Sequence, residues 1–270
     1  MKASVFFKVT ILACLFAQQS FSIRTLSSGQ GETLKVMTYN IHHCNPPSLP
    51  EGKIDITAIA KAINTAAPDL VALQEVDVNT ERSGKKTNQA RELARLTGMH
   101  FFFAKAIDHQ GGDYGVAVLS RFPLLDSLHL PLPLPEGIKG EPRAVAAVKV
   151  KTPKGKEIWF ASTHLDLKEE TRLFQAEIIV KRLAAMKEPV VLGGDFNALP
   201  SSQVISRLDS TFTRTCTADC LPTIPTVNPR RTIDYIMFTR PEHLSATKTY
   251  VPNETYASDH LPVVAKLTVR

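Results

Sequence analysis

Residues 190–200 read VVLGGDFNALP. Three apolar residues run into two glycines, and Asp195 and Asn197 then stand two apart. On an extended strand, side chains two apart leave on the same side. One carboxylate and one amide would then face one way, able to bind a metal ion, orient a water, or do both. The plainer reading is a strand followed by an Asx turn, with both side chains capping backbone. Other strand ends decide between the two. Asn40, Glu75, His164, Asp234, Asp259 and His260 all close or border apolar runs. Each alone has a structural explanation: a turn residue, a solvated strand end, a cap, a satisfied surface histidine. Their recurrence favours a site, because function collects in the loops at one end of an α/β sheet.

The chemistry this set suits is hydrolysis of a phosphodiester. Carboxylates hold a hard divalent ion such as Mg²⁺ through oxygen and leave positions for water and phosphate. Such an ion neutralises charge on the phosphoryl and leaving oxygens. A carboxylate can take a proton from the attacking water, and histidines and an arginine can stabilise the added negative charge. The chain has no P-loop and no glycine-rich dinucleotide motif, which argues against nucleotide-driven chemistry.

The elements that must carry these residues follow from hydropathy. Residues 34–40, 69–75, 100–105 and 190–195 read as strands, as does the YGVAVLSRFPL run after Gly112. Residues 143–151 and 157–164 read as a hairpin, and 232–238 and 261–269 as the closing strands. Helical spacing marks 54–67, 88–98 with Gly98 as its C-cap, 168–186, and 201–208 with Ser201 as its cap. Pro131, Pro133 and Pro135 mark an extended segment. Strands outnumber helices, and hairpins alternate with crossovers. The expected fold is therefore α/β, with two mixed sheets packed together and helices outside.

The chain has 270 residues and a formal net charge of +6. Residues 1–22 carry Lys2 and Lys8, an apolar run and then small residues, the pattern of a secretory signal. Its loss would lower the charge to +4, a slight basic balance that does not point strongly to an anionic partner. Cys14 follows Leu12 and Ala13 in a weak lipidation-type box, but the apolar residues after it argue for simple export to the periplasm or medium. Residues 23–33 form a short segment before one domain, 34–270. Cys216 and Cys220 bracket a Thr-Ala-Asp loop; a local disulfide or two free thiols fits better than zinc, for which no further ligand has suitable spacing.

TYNIHH, LQEVD, YGVAVLSRFP, EPRAV, STHLD, GGDFNALP, TIDYI and SDHLPV occur in the order that resembles the endonuclease/exonuclease/phosphatase superfamily, from about residue 34 to the C-terminus. NIHH, EPR and IDYI look most like a bacterial exported branch, in which a glycine usually stands at the position of Cys44. That superfamily includes deoxyribonucleases, abasic-site endonucleases, sphingomyelinases and inositol-polyphosphate phosphatases. The resemblance implies a four-layered αββα sandwich and a site with one or two Mg²⁺ or Mn²⁺ ions. It makes Glu75 the principal metal ligand, supported by Asn40 and Asp259. Asp195 would activate or position the water, with Asn197 holding water and phosphate. His260 would contact the phosphate, oriented by Asp234, with His164 as a second phosphate-side histidine and Arg143 as a phosphate ligand. His42 and His43 would play supporting or structural parts, and Cys44 would tighten the loop behind Asn40 as an oxidation-sensitive point.

The expected function is a metal-dependent phosphodiesterase acting as a monomer on nucleic acid or on a phospholipid or inositol-type headgroup. A phosphomonoesterase, or a binding module that keeps the fold without catalysis, are the alternatives. A nuclease needs a basic groove, for which Arg82, Lys85, Lys86, Arg230 and Arg231 are candidates. A lipid-headgroup enzyme needs exposed apolar residues near the site. The one dense aromatic run, Phe101 to Phe103, reads as core strand.

Overall fold

The computed structural model describes Met1 and residues 31–270. The chain divides into two units, Met1–Gln30 and Gly31–Arg270, and the fold below is that of the second. The signal-type segment, Cys14 and most of the expected segment 23–33 lie outside the described residues.

In chain order the elements are β1 (Glu32–Asn40), α1 (Ile56–Ala66), β2 (Leu70–Val78), α2 (Gln89–Thr97), β3 (His100–His109), β4 (Gly112–Ser120) and β5 (Leu124–Leu132). Then follow β6 (Arg143–Lys151), β7 (Glu157–His164), α3 (Glu169–Ala184), β8 (Val190–Asp195), α4 (Gln203–Asp209), β9 (Thr213–Arg214), β10 (Asp234–Phe238), β11 (Leu244–Tyr250) and β12 (Val263–Val269). They form two six-stranded sheets, in the orders β11-β12-β1-β2-β4-β3 and β5-β6-β7-β8-β10-β9. Each sheet is antiparallel except for one parallel pair, β1 with β2 and β7 with β8.

Three apolar layers explain the stack. One lies between the sheets, built from residues such as Val36, Ala72, Val118, Ala146, Phe160, Val191, Ile236 and Ala265. A second joins the outer face of β6, β7, β8 and β10 to α3 and α4 through Ile179, Leu183, Ile205 and Leu208. The third joins β1, β2 and β4 to α1 and α2 through Ile59, Ile63, Ala90 and Leu93. Strands buried on both faces read as continuous apolar runs rather than alternations, which is why β2 and β8 are so hydrophobic. The result is the expected four-layered αββα sandwich. Phe102 packs into the inter-sheet layer and Phe101 and Phe103 into the outer one, so the aromatic run is divided between two cores.

Several boundaries differ from the sequence reading. The extended, proline-bearing stretch before Arg143 includes β5, a strand at the edge of its sheet. An edge strand tolerates Pro131 because it needs one fewer backbone donor. β11 is a second edge strand; its exposed, polar middle lacks any apolar run. The last crossover helix is capped by Ser202, whose hydroxyl accepts from Ile205 N, and not by Ser201. β1 starts at Glu32, two residues ahead of the expected domain start. Cys216 and Cys220 are joined as a disulfide.

The parallel pairs fix where the site can form. β1, β2, β7 and β8 all end on one rim of the sandwich, and β10 and β12, antiparallel to β8 and β1, begin there. Gly193 and Gly194 allow β8 to sit in the middle of this crowd. A Cβ on Gly193 would meet the Cβ atoms of Ala72 and Thr38 on the facing sheet at 3.0 Å, and one on Gly194 would lie 2.5 Å from the Thr163 carbonyl on β7. Beside them the inter-sheet layer turns polar: Thr38 Oγ1 donates to Gln74 Oε1, Gln74 Nε2 donates to Ser162 Oγ, and that hydroxyl donates to the Leu73 carbonyl.

The loop after β2 is pinned by a buried acid. Asp77 accepts a two-pronged bond from Arg82 at 2.8 and 2.9 Å, plus the hydroxyls of Thr80 and Ser83. Burial alone would raise the Asp77 pKa; these donors outweigh it and hold the carboxyl below its ordinary value. Gln89 completes the knot, accepting from Asp77 N and donating to the His43 carbonyl.

Two measurements test this scaffold. Gly193→Val is expected to lower unfolding stability by about 1–3 kcal/mol, read from the urea midpoint, because the sheets cannot separate to admit the branch. Asp77→Asn should destabilise by about 3 kcal/mol at neutral pH by stranding the half-buried Arg82 at the buried position 77. Because the folded pKa of Asp77 is depressed, its contribution is present above the unfolded carboxyl value and fades as pH falls through the folded one. The gap between wild type and Asp77→Asn should therefore narrow in acid; a gap that widens would refute the assignment.

Candidate active site

The residues singled out in the sequence meet on that rim. In the parallel pairs, Asn40 lies opposite Gln74, and His164 lies opposite Asp195. Asp234, the first residue of β10, pairs with Asp195. Asn40, Arg143, His164, Asp195, Asp234 and His260 are buried, while Glu75, Asn197 and Asp259 stand partly exposed above them.

Glu75 reaches the rim through a break in β2. The register with β4 shifts between Leu73 and Val76, and Glu75 takes φ 58°. A bulge with left-handed backbone at a non-glycine residue is strained, by roughly 1–3 kcal/mol. It re-aims the side chain, which strict alternation with Gln74 and Val76 would have sent elsewhere. Asn197 has φ 49°, and His42, His43 and Cys44 are left-handed in succession. Five of the ten non-glycine residues with positive φ among the described residues thus belong to the site or the turn beside it.

One amide ties the two sheets together. Asn40 Nδ2 donates to Glu75 Oε1 at 3.0 Å and to Asp195 Oδ2 at 3.1 Å, while Asn40 Oδ1 accepts from His42 N. Its nitrogen faces the carboxylates, so in this arrangement Asn40 holds the acids in place. His43 Nδ1 lies 3.8 Å from Glu75 Oε2, buried and without a hydrogen-bond partner. His42 Nδ1 meets the Asn45 carbonyl, a contact internal to the turn. Burial would raise the Glu75 pKa, but His43, His164 and the Asn40 amide together hold it below the usual carboxylate range.

The second group is Asp195, Asp234 and His260, whose ligand atoms lie within 4.8 Å of one another. His260 Nδ1 sits 2.9 Å from Asp234 Oδ2, and its Nε2 lies 3.7 Å from Asp195 Oδ2. Burial works against the imidazolium, yet the Asp234 carboxylate wins and pushes the His260 pKa up to about 10. Asp195 is pushed up to about 7, by burial first and then by the negative charge of Asp234, with His260 opposing. The backbone N–H of Asn197 and the Asn40 amide hold its two oxygens. Asp259 joins through Ser258, whose hydroxyl donates to the Asn40 carbonyl and lies 3.4 Å from Asp259 Oδ1.

His164 behaves differently from His260. Burial, then the Arg143 charge, lower its pKa to about 3, so the ring is neutral in ordinary buffers. Its Nε2 lies 3.1 Å from Asn197 Nδ2, which also donates to the Leu165 carbonyl. His164 is thereby placed to orient Asn197. Arg143 is 6% exposed; one nitrogen lies 3.2 Å from Glu141 and its Nε is buried without a partner.

Two residues near the site were passed over in the sequence. Tyr114, in the run GDYGVAVLS, lies on β4 across from Asp77. Its hydroxyl is pushed well above its ordinary pKa by burial and then by Glu75, with Arg143 opposing. Arg82 stacks on its ring at 5.5 Å while held by Asp77. The tyrosine just before the apolar run was the available signal. Thr223, fully buried, donates its hydroxyl to Asp234, and its carbonyl accepts from Leu261 N. Nothing in a loop sequence marked it. Cys44 departs from expectation: it is free, wholly buried, and its thiol is raised well above its ordinary pKa by burial, Asp77 and Asp55. A shielded, protonated thiol resists oxidation.

The donor set suits a hard divalent cation. Glu75, Asp195, Asp234 and Asp259 supply oxygen donors, and His260 is the one cationic group bonded within the cluster. The elevated Asp195 reflects burial first and the neighbouring Asp234 charge second. Glu75, at the mouth, offers the more open carboxylate.

The model of the Endonuclease/Exonuclease/phosphatase family matches residues 37–260. The chain is 27% identical to Nocturnin of Xenopus laevis over 300 residues, covering 90% of this chain and 75% of that protein. It is also similar to an endonuclease/exonuclease/phosphatase structure from Beutenbergia cavernae, at 26% identity and TM-score 0.70, covering 88% of this chain and 72% of that one. A Bacteroides vulgatus structure of the same description has TM-score 0.73 at 22% identity, covering 88% of this chain and all of that one, a likeness of fold. With the family model spanning both sheets and every site residue from Asn40 to His260, the chain belongs to the endonuclease/exonuclease/phosphatase family of divalent-metal-dependent phosphate-ester hydrolases.

Proposed function

We propose that the chain hydrolyses a phosphodiester, with water attacking phosphorus at the rim where Asn40, Glu75, Asp195 and His260 converge. The observation that carries this reading is the pairing of opposites: His260 held cationic by Asp234, 3.7 Å from an Asp195 pushed up to about 7. A proton acceptor near neutrality and a fixed positive charge side by side suit a reaction that deprotonates water while charge builds on phosphoryl oxygen.

Each residue has a part. Asp195 accepts the proton of the attacking water, its oxygens aimed by Asn40 and the Asn197 backbone. Asn197, oriented by neutral His164 and the Leu165 carbonyl, positions that water or the phosphate. His260 and Arg143 offset charge on the phosphate. Glu75 holds Mg²⁺ or Mn²⁺, with Asp259 beside the same mouth and Asn40 orienting the acids. An ion held there would supply positive charge to offset the phosphoryl and leaving oxygens. We further read the chain as exported through residues 1–22 and as acting as a monomer; the charged and apolar runs of that segment support the first.

Turnover of bis(p-nitrophenyl) phosphate with Mg²⁺ or Mn²⁺ tests this. Glu75→Ala and His260→Ala should each lower kcat/KM on the order of 10²–10³-fold, and chelation should abolish activity. Undiminished metal-dependent turnover by both variants would sink the assignment.

The pH profile supplies a further check. His260 must stay protonated, so wild-type activity should hold into alkaline buffer until pH nears its raised pKa of about 10. In Asp234→Asn the largest opposition to burial is gone, leaving only Asp195 and Asp259 to favour the cation, and the imidazolium is lost at lower pH. The alkaline limb should therefore move down by several pH units; an unmoved limb would show that Asp234 does not set this charge.

A further inference from the structure

We infer that the catalytic rim seats on a lipid surface, and that the phosphodiester entering the site is a lipid headgroup ester. The substrate half rests on the phosphoesterase reading above; the seating does not.

Several large apolar side chains of the fold are left in water. Among the described residues, Leu49, Leu167, Leu199, Leu221, Val227 and Tyr256 are exposed on loops. Strand direction places every one of these loops on the same rim. Leu49 lies in the loop after β1, Leu167 after β7 and Leu199 after β8, while Leu221 and Val227 precede β10 and Tyr256 precedes β12. At the opposite end the loops 152–156, 185–189 and 239–243 carry none; Leu125, near the start of β5, is exposed there, and Phe174 is exposed on α3. Scattered single apolar residues are ordinary. Six of the eight such side chains in residues 31–270 gather on the rim that holds the site, and the most exposed of them, Leu167 at 72%, lies three residues beyond His164.

Charge selects the occupant. The loops of this rim hold about as many acids as bases, so they do not form the basic groove a polyanion needs. Of the cations named for such a groove, Arg82 is bound by Asp77, Lys85 lies 3.8 Å from Glu81, and Lys86 is exposed beside them. Leucine and valine give no platform for base stacking, and Tyr256 is the one aromatic of the set. Arg230 and Arg231 do remain exposed, in the same loop as Val227. Apolar loop tips that reach the acyl boundary, with two exposed arginines in one of those loops to meet anionic headgroups, suit a phospholipid interface. None of the described helices is long and apolar enough to cross a membrane. Hydrolysis there forms one P–O bond from water and breaks one ester P–O bond, the departing oxygen leaving with a proton.

The test uses the full chain and Leu167→Gln/Val227→Gln, whose changed side chains lie outside the catalytic set. Wild type should co-sediment with phosphatidylcholine vesicles, more so when phosphatidylglycerol is included, and should hydrolyse the vesicle lipid. The double variant should lose about tenfold in both while turning over bis(p-nitrophenyl) phosphate at the wild-type rate. Equal vesicle binding by variant and wild type overturns the inference. So does salt-sensitive binding to a DNA or RNA oligonucleotide without vesicle association, or a dimer that the same substitutions dissolve. If the soluble diester is not cleaved, the phosphoesterase reading falls, and the sedimentation comparison still decides the seating.

Discussion

The site depends on one amide placed between two acids. Asn40 Nδ2 spans Glu75 on its own sheet and Asp195 on the facing one. Two carboxylates that close repel each other, and burial makes the repulsion worse. A donor with two hydrogens aimed at both keeps them at the rim without supplying a charge. The His42 backbone N–H fixes the amide by occupying its oxygen, and Ser258 fixes the Asn40 carbonyl. The left-handed turn at His42–Cys44 and the SDH segment are therefore extensions of the same contact.

That contact requires the sheets to be close and the strand ends to be level. Closeness comes from Gly193, where even a methyl group would press on Ala72 and Thr38. Level ends come from the two parallel pairs, which need crossover helices; α1 and α3 supply them and cover the outer faces. Strain follows from the same demand. Glu75 has to leave the β2 pleat to reach the rim, so the strand bulges, and the buried Asp77–Arg82 knot holds the chain immediately beyond it. A packed interior is thus what keeps the strained, charged rim in place.

His164 and His260 show how environment divides one residue type into two roles. Both are buried, and burial disfavours the cation in each. The Asp234 carboxylate on Nδ1 reverses the outcome for His260, whereas Arg143 reinforces it for His164. One histidine becomes a fixed charge and the other a neutral hydrogen-bond partner of Asn197.

Much of this was legible in the residues. Apolar runs ending in polar residues marked β1, β2, β7 and β8, and helical spacing marked all four helices, because burial imposes those periods directly. The edge strands β5 and β11 were hidden because one-sided, half-exposed strands carry weak patterns and one contains proline. The identities of Asn40, Glu75, His164, Asp195, Asn197, Asp234, Asp259 and His260 could be chosen from their places at strand ends. Their charge states could not, since a pKa depends on neighbours 155 residues apart, as Asn40 and Asp195 are. Nor could the parts of Tyr114 and Thr223, or the gathering of six exposed apolar side chains on one rim, because strand direction and not chain position decides which loops share an end. Sequence alone determined which groups could act and which elements carry them. Tertiary structure decided which are charged, which are held, and what the rim presents to its surroundings, because those properties arise only where two sheets bring distant strand ends into contact.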